Sequence, residues 1–341
     1  MGEPEPVRLG LCSSAGVVLF FVMSCALAAE RLDETRSYLG TVVRATICYA
    51  PDQRGKADLA MKNVWQAFAD VHAHMNAFDP LSDVSLLNQS SGREVEVHDD
   101  VYRLLEKSKR YVEMTRGVFD VTVAPLMALW KEAGRRGYLP TAEEMREAKK
   151  NIGAGRIELL GNDRVKVPQG MKIDLGGNAS GFVADQAVDI LHAAGFKDFL
   201  VDAGGEIFAG GQACEGRPWH VGINDPEGKR RWTDVVELRD RAVSTSGSYQ
   251  KYTEINGERW PHIINPLTGY PERGVVSATV IAPHAVDADV LSTALCILGP
   301  GPGFELIDAL GDGYAAMIMT ENAAGRLEET ATRGYAVFRV K

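Results

Sequence analysis

A chain of 341 residues with 45% apolar and 24% charged residues has an ordinary globular composition and enough length to bury a large core. Its formal net charge of −9 is spread out, with no basic stripe and no aromatics interleaved among Arg and Lys, which removes nucleic acid from the candidate partners.

The N-terminus carries an export pattern. No charge occurs from Leu9 to Ala29, Arg8 precedes the run, and Ala26, Ala28 and Ala29 supply the small residues of an A-x-A cleavage site. The run is also about long enough to span a bilayer, so an uncleaved anchor is one alternative. VMSC, ending at Cys25, resembles a lipoprotein box and gives another. Each places the folded part outside the cytoplasm. The chain therefore divides into an export or anchor segment, 1–29, and one folded domain, 30–341. In that domain Cys48 and Cys296 lie in apolar runs and read as buried small hydrophobes, while Cys214 lies in a polar loop. An odd number of cysteines without a CxxC predicts neither a disulfide framework nor a cysteine metal site.

Thr41–Ala50 reads as a strand. Apolar residues at Leu59, Val64, Phe68, Val71 and Met75 predict a helix over Lys56–Phe78, and the loop FDPLSDVSLLNQ follows. A second helix spans Asp100–Thr115 and ends before Gly117. Val118–Trp130 begins strand-like and turns helical after Pro125. Gly134–Pro140 reads as a loop. Thr141 with Glu144 three residues on predicts a capping box. Short strands follow in RIELL, RVKV and KIDL, then a helix over Ala179–Ala194. Phe199–Gly211 reads as strand, glycine turn, strand. Strands continue in HVGIND, DVVEL and Ala242–Tyr252. Beyond the turn-rich Arg259–Pro271 come a strand at Val276–Pro283, helices at Ala285–Leu298 and Gly303–Leu310, and closing strands in YAAMIM and YAVFRV. The pattern is a mixed α+β fold.

The segment KIDLGGNASGFVAD (Lys172–Asp185) joins a strand to a helix through Gly176 and Gly177, with Asp174 before and Ser180 and Gly181 after. Such a junction lets the backbone approach a ligand closely, and the helix start offers free N–H groups to an anion. His262 precedes a proline-fixed turn, where an imidazole can act as acid, base or phosphate partner. Ser244–Tyr249 (STSGSY) offers hydroxyls and backbone N–H groups, Ser246 and Gly247 included, that suit phosphate oxygens. Asp289 and Thr293 lie four apart and share one helix face, a carboxylate and a hydroxyl suited to Mg²⁺. Phe78 is placed to stack on a flat ring, and the loop residue Asn88 to order a water or an incoming hydroxyl.

Together FDPLSDVSLLN, FDVTVAPLMALW, KIDLGGNASGFVAD, DAGGEI, STSGSY, HIINPLTGYP and DADVLSTALCILG resemble, in order and spacing, the ApbE-type FAD:protein FMN transferases exported by bacteria. The resemblance runs from about Thr41 to the C-terminus. It implies a two-lobed fold with helices packed on largely antiparallel sheets and a periplasmic location, with attachment to the inner membrane as one outcome. It implies FAD as substrate, Mg²⁺ as cofactor, and transfer of FMN to a Thr or Ser hydroxyl on a redox-complex subunit with release of AMP. The metal ligands it implies are Gly177 through its carbonyl, Asp289 and Thr293, with Ser292 as a neighbour. Flavin contacts are implied at Phe78, Val118, Phe119, Asp120, Asp174, Ser180 and near Ile264, and His262 takes the position of the functional histidine. This chain departs from the family at three positions. Ser180 stands where Lys or Glu is common, Phe78 where Tyr is frequent, and Asn265 where Asp is common, which suits it to capping the turn. Two other functions fit the same residues: an FAD pyrophosphatase, with water as acceptor, and an exported flavin-binding protein without catalysis.

Overall fold

A computed structural model describes residues 29–248 and 251–340. The export segment before Ala29, with Cys12 and Cys25, lies outside the described residues. Among those described, no helix is long and apolar enough to cross a membrane.

The chain begins with the strands β1 (Glu30–Tyr38) and β2 (Thr41–Tyr49) and the helices α1 (Arg54–Met75) and α2 (Asp83–Gln89). Next come β3 (Glu94–Glu96), α3 (Asp99–Met114), α4 (Ala124–Arg136), α5 (Ala142–Lys150), β4 (Glu158–Leu159) and β5 (Arg164–Lys166). Helix α6 (Ala179–Ala193) leads into β6 (Phe199–Asp202), β7 (Ile207–Gly210), β8 (Trp219–Asn224), β9 (Trp232–Leu238) and β10 (Arg241–Gly247). The last part holds β11 (Tyr252–Ile255), β12 (Glu258–Pro261), β13 (Val275–Ala282), α7 (Ala285–Leu298), α8 (Pro300–Leu310), β14 (Ala315–Glu321) and β15 (Leu327–Ala331).

Eight of the strands form one sheet, in the order β1-β2-β6-β7-β10-β13-β14-β15, and every neighbouring pair is antiparallel. Its inner strands are apolar on both faces because both faces are covered. On β13, Ala278, Val280 and Ala282 face the main core under α1, α6 and α7. Ile281 points the other way, into a second core closed by Trp219, Val221 and Ile223 of β8 and Val236 and Leu238 of β9. A third, small core gathers Leu126, Trp130 and Ala133 of α4 with Met145 of α5, Ile255 and Ile264. The α+β class with helices on antiparallel sheets is as expected.

Four expectations need correction. Val118–Val123 is not a strand, because the Asp120 carboxylate folds it into a turn by accepting from the Thr122 amide at 2.8 Å and its hydroxyl at 2.6 Å. Gly134 lies inside α4, and the loop begins only at Gly137, whose φ of +79° ends the helix. YAVFRV is no strand either; its first half is a 3₁₀ turn over Arg333–Val337, while the strand before it, LEETA, was not expected. Most consequential, Cys48 is buried but not a free hydrophobe: it forms a disulfide with Cys214 of the β7–β8 loop, leaving Cys296 as the free cysteine among the described residues.

Candidate active site

The site starts from the glycine junction before α6. KIDL is extended but pairs with no strand. Instead the Asn88 amide takes the place of a neighbouring backbone, donating to the Ile173 carbonyl at 2.9 Å and accepting from the Ile173 N–H at 2.6 Å. Asp174 N–H donates to the Val121 carbonyl at 2.8 Å, and the Asp174 carboxylate accepts from Gly176 N–H at 2.7 Å. These bonds fix the turn and make Asn88 a positioning residue for it, using one N–H and one lone pair of its amide.

Beside this turn lies a cleft of about 320 Å³, lined by Leu39, Met75, Asn76, Phe78, Asp174 and Ser180 among others. Phe78 stands at its lip with 94% of its surface exposed. The loop beneath fixes its backbone: Phe78 N–H donates to the Asn76 side chain at 3.0 Å, and Ser82, which caps α2, donates to the Asn76 carbonyl at 2.7 Å. An exposed aromatic on a fixed backbone beside a cleft is a stacking surface for a flat ring.

Helices α6 and α7 cap each other. Asp185 of α6 accepts from the Ala285 and Val286 amides at 2.7 and 3.1 Å, and Asp289 of α7 accepts from the Gly181 amide at 3.0 Å. Gly181 permits the close approach, since a Cβ there would sit 2.6 Å from the Ala285 carbonyl oxygen and from Val286 Cα. Gly181→Ala is therefore expected to cost about 1–3 kcal/mol in overpacking and to lower activity by shifting Asp289, measurable as a drop in thermal midpoint together with rate. An unchanged midpoint would show that the helices separate without penalty. Ser180 faces the cleft while the next amide reaches Asp289, so cleft and carboxylate share the first turn of α6.

The other oxygen of Asp289 has no hydrogen-bond partner among the described residues. Around it is a hydroxyl cluster. Ser246 Oγ lies 2.8 Å from Ser292 Oγ and 3.1 Å from Thr293 Oγ1, and Ser292 donates to the Asp289 carbonyl at 2.9 Å. Burial above all, then the nearby Glu206 carboxylate, pushes the Asp289 carboxyl well above the usual range against the opposing Gly181 bond. Burial likewise raises Glu206, to about 7. Neither carboxylate has an ion pair with Lys, Arg or His among the described residues. Asn178, fully buried beside Gly177, leaves its Oδ1 without a partner. Oxygen donors short of positive charge fit a hard divalent cation, and Asp289, Thr293 and the Gly177 carbonyl, one helical turn ahead of Gly181, are the residues that would hold it. No group of three or more His, Cys, Asp or Glu side chains suited to a metal occurs among the described residues.

His262 presents part of its ring to solvent. Its Nδ1 lies 3.1 Å from the Lys251 carbonyl, which can only accept, so Nδ1 carries the proton and Nε2 a free lone pair. Desolvation by the surrounding protein lowers its pKa below the usual value, so the ring is neutral at pH 7. Asn265 accepts from the Leu267 amide at 2.9 Å and so caps the turn that follows.

The remaining expected contacts lie deeper. Val118, Phe119 and Asp120 are buried, and Asp120 spends its second oxygen on the Ala154 amide at 3.0 Å. Phe119 packs under the glycine turn, 3.2 Å from where a Gly177 Cβ would stand. The Ile264 side chain fills the third core. Gly247 ends β10 opposite Ser277. None of these side chains lines the cleft. Ser244, the first residue of STSGSY, lies between Glu206 and Ser292; Glu206 itself was not singled out, though DAGGEI was the available signal.

An aromatic-lipped cleft beside a buried cluster of carboxylate, hydroxyl and carbonyl oxygens, on an antiparallel α+β scaffold, has a lining suited to a flat-ringed, phosphorylated ligand. Comparison with known proteins agrees. The ApbE family model matches residues 39–318. The FAD:protein FMN transferase of Haemophilus influenzae is 34% identical over 265 residues, covering 74% of this chain and 76% of that one. That of Treponema pallidum is 32% identical over 302 residues, 83% of each chain. Among solved structures, the ApbE protein of Thermotoga maritima superposes with a TM-score of 0.79 at 32% identity, covering 92% of this chain and 100% of that one. The apo flavinyl transferase ApbE of Pseudomonas stutzeri gives 0.80 at 28% identity, covering 91% and 97%. The chain belongs to the ApbE family.

Proposed function

We propose that this chain is an FAD:protein FMN transferase that moves FMN from FAD to a Thr or Ser hydroxyl of a target flavoprotein subunit and releases AMP. The observation that carries this reading is the Asp289–Thr293–Ser246 oxygen cluster, set at the first turn of α6 beside the cleft lipped by Phe78. In that arrangement Phe78 stacks on the flavin and the start of α6 supplies N–H groups to the phosphates. Bound at Asp289, Thr293 and the Gly177 carbonyl, Mg²⁺ supplies neutralisation of the charge on the diphosphate oxygens. Neutral His262 accepts the proton of the incoming hydroxyl at Nε2. The hydroxyl oxygen bonds to the phosphorus of the FMN half while the bond to the bridging oxygen breaks, and AMP leaves with that oxygen. The export pattern at 1–29 and the Cys48–Cys214 disulfide both suit a periplasmic protein.

The test mixes the exported domain with FAD, Mg²⁺ and a candidate flavoprotein subunit. AMP together with a fluorescent target supports transfer; AMP with free FMN points to a pyrophosphatase; flavin retained without either product points to a carrier. His262→Ala is expected to slow transfer by roughly 10²–10⁴-fold at an unchanged thermal midpoint. The part of the rate that His262→Ala removes is expected to persist with acid until below the ordinary histidine range, because the folded pKa of the ring is depressed. A rate that His262→Ala leaves intact removes the base assignment.

A further inference from the structure

The proposed reaction leaves one polar side chain of the site without a task. Glu206 opens β7, just past the turn in which Asp202 spends a carboxylate oxygen on the Gly204 and Gly205 amides at 3.0 and 2.8 Å. Strand register brings it to the site. Val243 of β10 pairs with Ile207, so the next residue, Ser244, stands across from Glu206, and its Oγ lies 3.4 Å from the Glu206 carboxylate. Ser244 Oγ is in turn 3.3 Å from Ser292 Oγ. Ser292 gives its own proton to the Asp289 carbonyl, which leaves the Ser244 proton for Glu206. Two hydroxyls thus separate Glu206 from the backbone of Asp289.

Glu206 is only partly exposed, and its carboxylate meets the Ser244 hydroxyl on the neighbouring strand. Glu206 acts on the buried Asp289 carboxyl as a like charge; Lys251 lies near enough to ease Glu206 but bonds neither carboxylate, so a cation held by both would relieve the repulsion further. We propose that Glu206 is a second carboxylate of the cation site, and that its charge, more than its bond to Ser244, strengthens binding of the divalent ion. This rests on the reading of Asp289 and Thr293 as cation ligands.

The experiment titrates Mg²⁺ alone, by calorimetry, into the wild-type domain, Glu206→Gln, Glu206→Asp and Asp289→Asn, and follows each thermal midpoint with and without the ion. Gln keeps an acceptor for Ser244 and removes the charge. It is expected to weaken Mg²⁺ binding about 10-fold or more while raising the Mg²⁺-free midpoint. Glu206→Asp keeps the charge and is expected to retain more affinity than Gln. Wild-type affinity in Glu206→Gln, or equal losses in Gln and Asp, overturns this inference alone. A wild-type domain that takes up no Mg²⁺ overturns the cation reading and the inference with it.

Discussion

Asp289→Asn is expected to lower FMN transfer by at least about 10²-fold while leaving the protein folded. Asparagine fills the same volume, and its carbonyl still accepts from the Gly181 amide, so the cap on α6 survives. What disappears is a buried negative charge, the one carboxylate that bonds the start of α6 and leaves an oxygen free for a cation. Because burial and Glu206 both work against that charge in the absence of a cation, the midpoint of the variant measured without divalent ions should match or exceed that of the wild type. Activity is read as AMP release and target fluorescence. Wild-type transfer by Asp289→Asn would end the assignment of a cation to α7. A low midpoint with low activity would instead mean that Asp289 serves the helix pair alone.

The second large effect concerns stability. The Cys48–Cys214 disulfide joins residues 166 apart in sequence, tying the end of β2 to the loop after β7. Closing so long a loop restricts the unfolded chain, and opening the bond is expected to cost up to about 5 kcal/mol. At roughly 2–4 °C per kcal/mol for domains near this size, the midpoint should fall under reductant by up to about 10–20 °C. The Cys48→Ala/Cys214→Ala double variant should start low and not respond to reductant. Equal midpoints with and without the bond would show that it adds nothing. The bond lies across the sheet from the cation cluster, so transfer measured well below the midpoint should persist.

The elements that repeat apolar residues at helical or strand spacing were legible from the sequence, α1, α3, α7 and β13 among them. Those that failed are informative. β1 (ERLDETRSY) and β15 (LEETA) are edge strands whose polar residues face water, so pairing with a neighbour far along the chain defines them, not hydrophobic alternation. KIDL has a strand-like pattern yet finds a side-chain amide in place of a strand, a substitution that no local signal encodes. The Cys48–Cys214 bond depends on a contact across 166 residues, invisible to spacing rules.

The candidate site divides in the same way. Asp289 and Thr293 were legible as a pair because one helix turn puts them on one face, and α7 does hold both. Phe78, Asp174 and Ser180 meet at one cleft, as their motifs implied. Glu206 escaped notice because its neighbours arrive through the β7–β10 register. Asp120 carries a carboxylate within a family motif, and the structure bonds both of its oxygens to its own chain.

The eight-stranded sheet has two free rims. β1 carries Glu30, Arg31, Asp33, Glu34 and Arg36 along its length, and β15 carries Glu328 and Glu329. Mixed or like charges in such density make poor templates for an incoming backbone. The rims of the large sheet thus disfavour growth by lent strands, so copies held at high concentration should stay apart along this sheet.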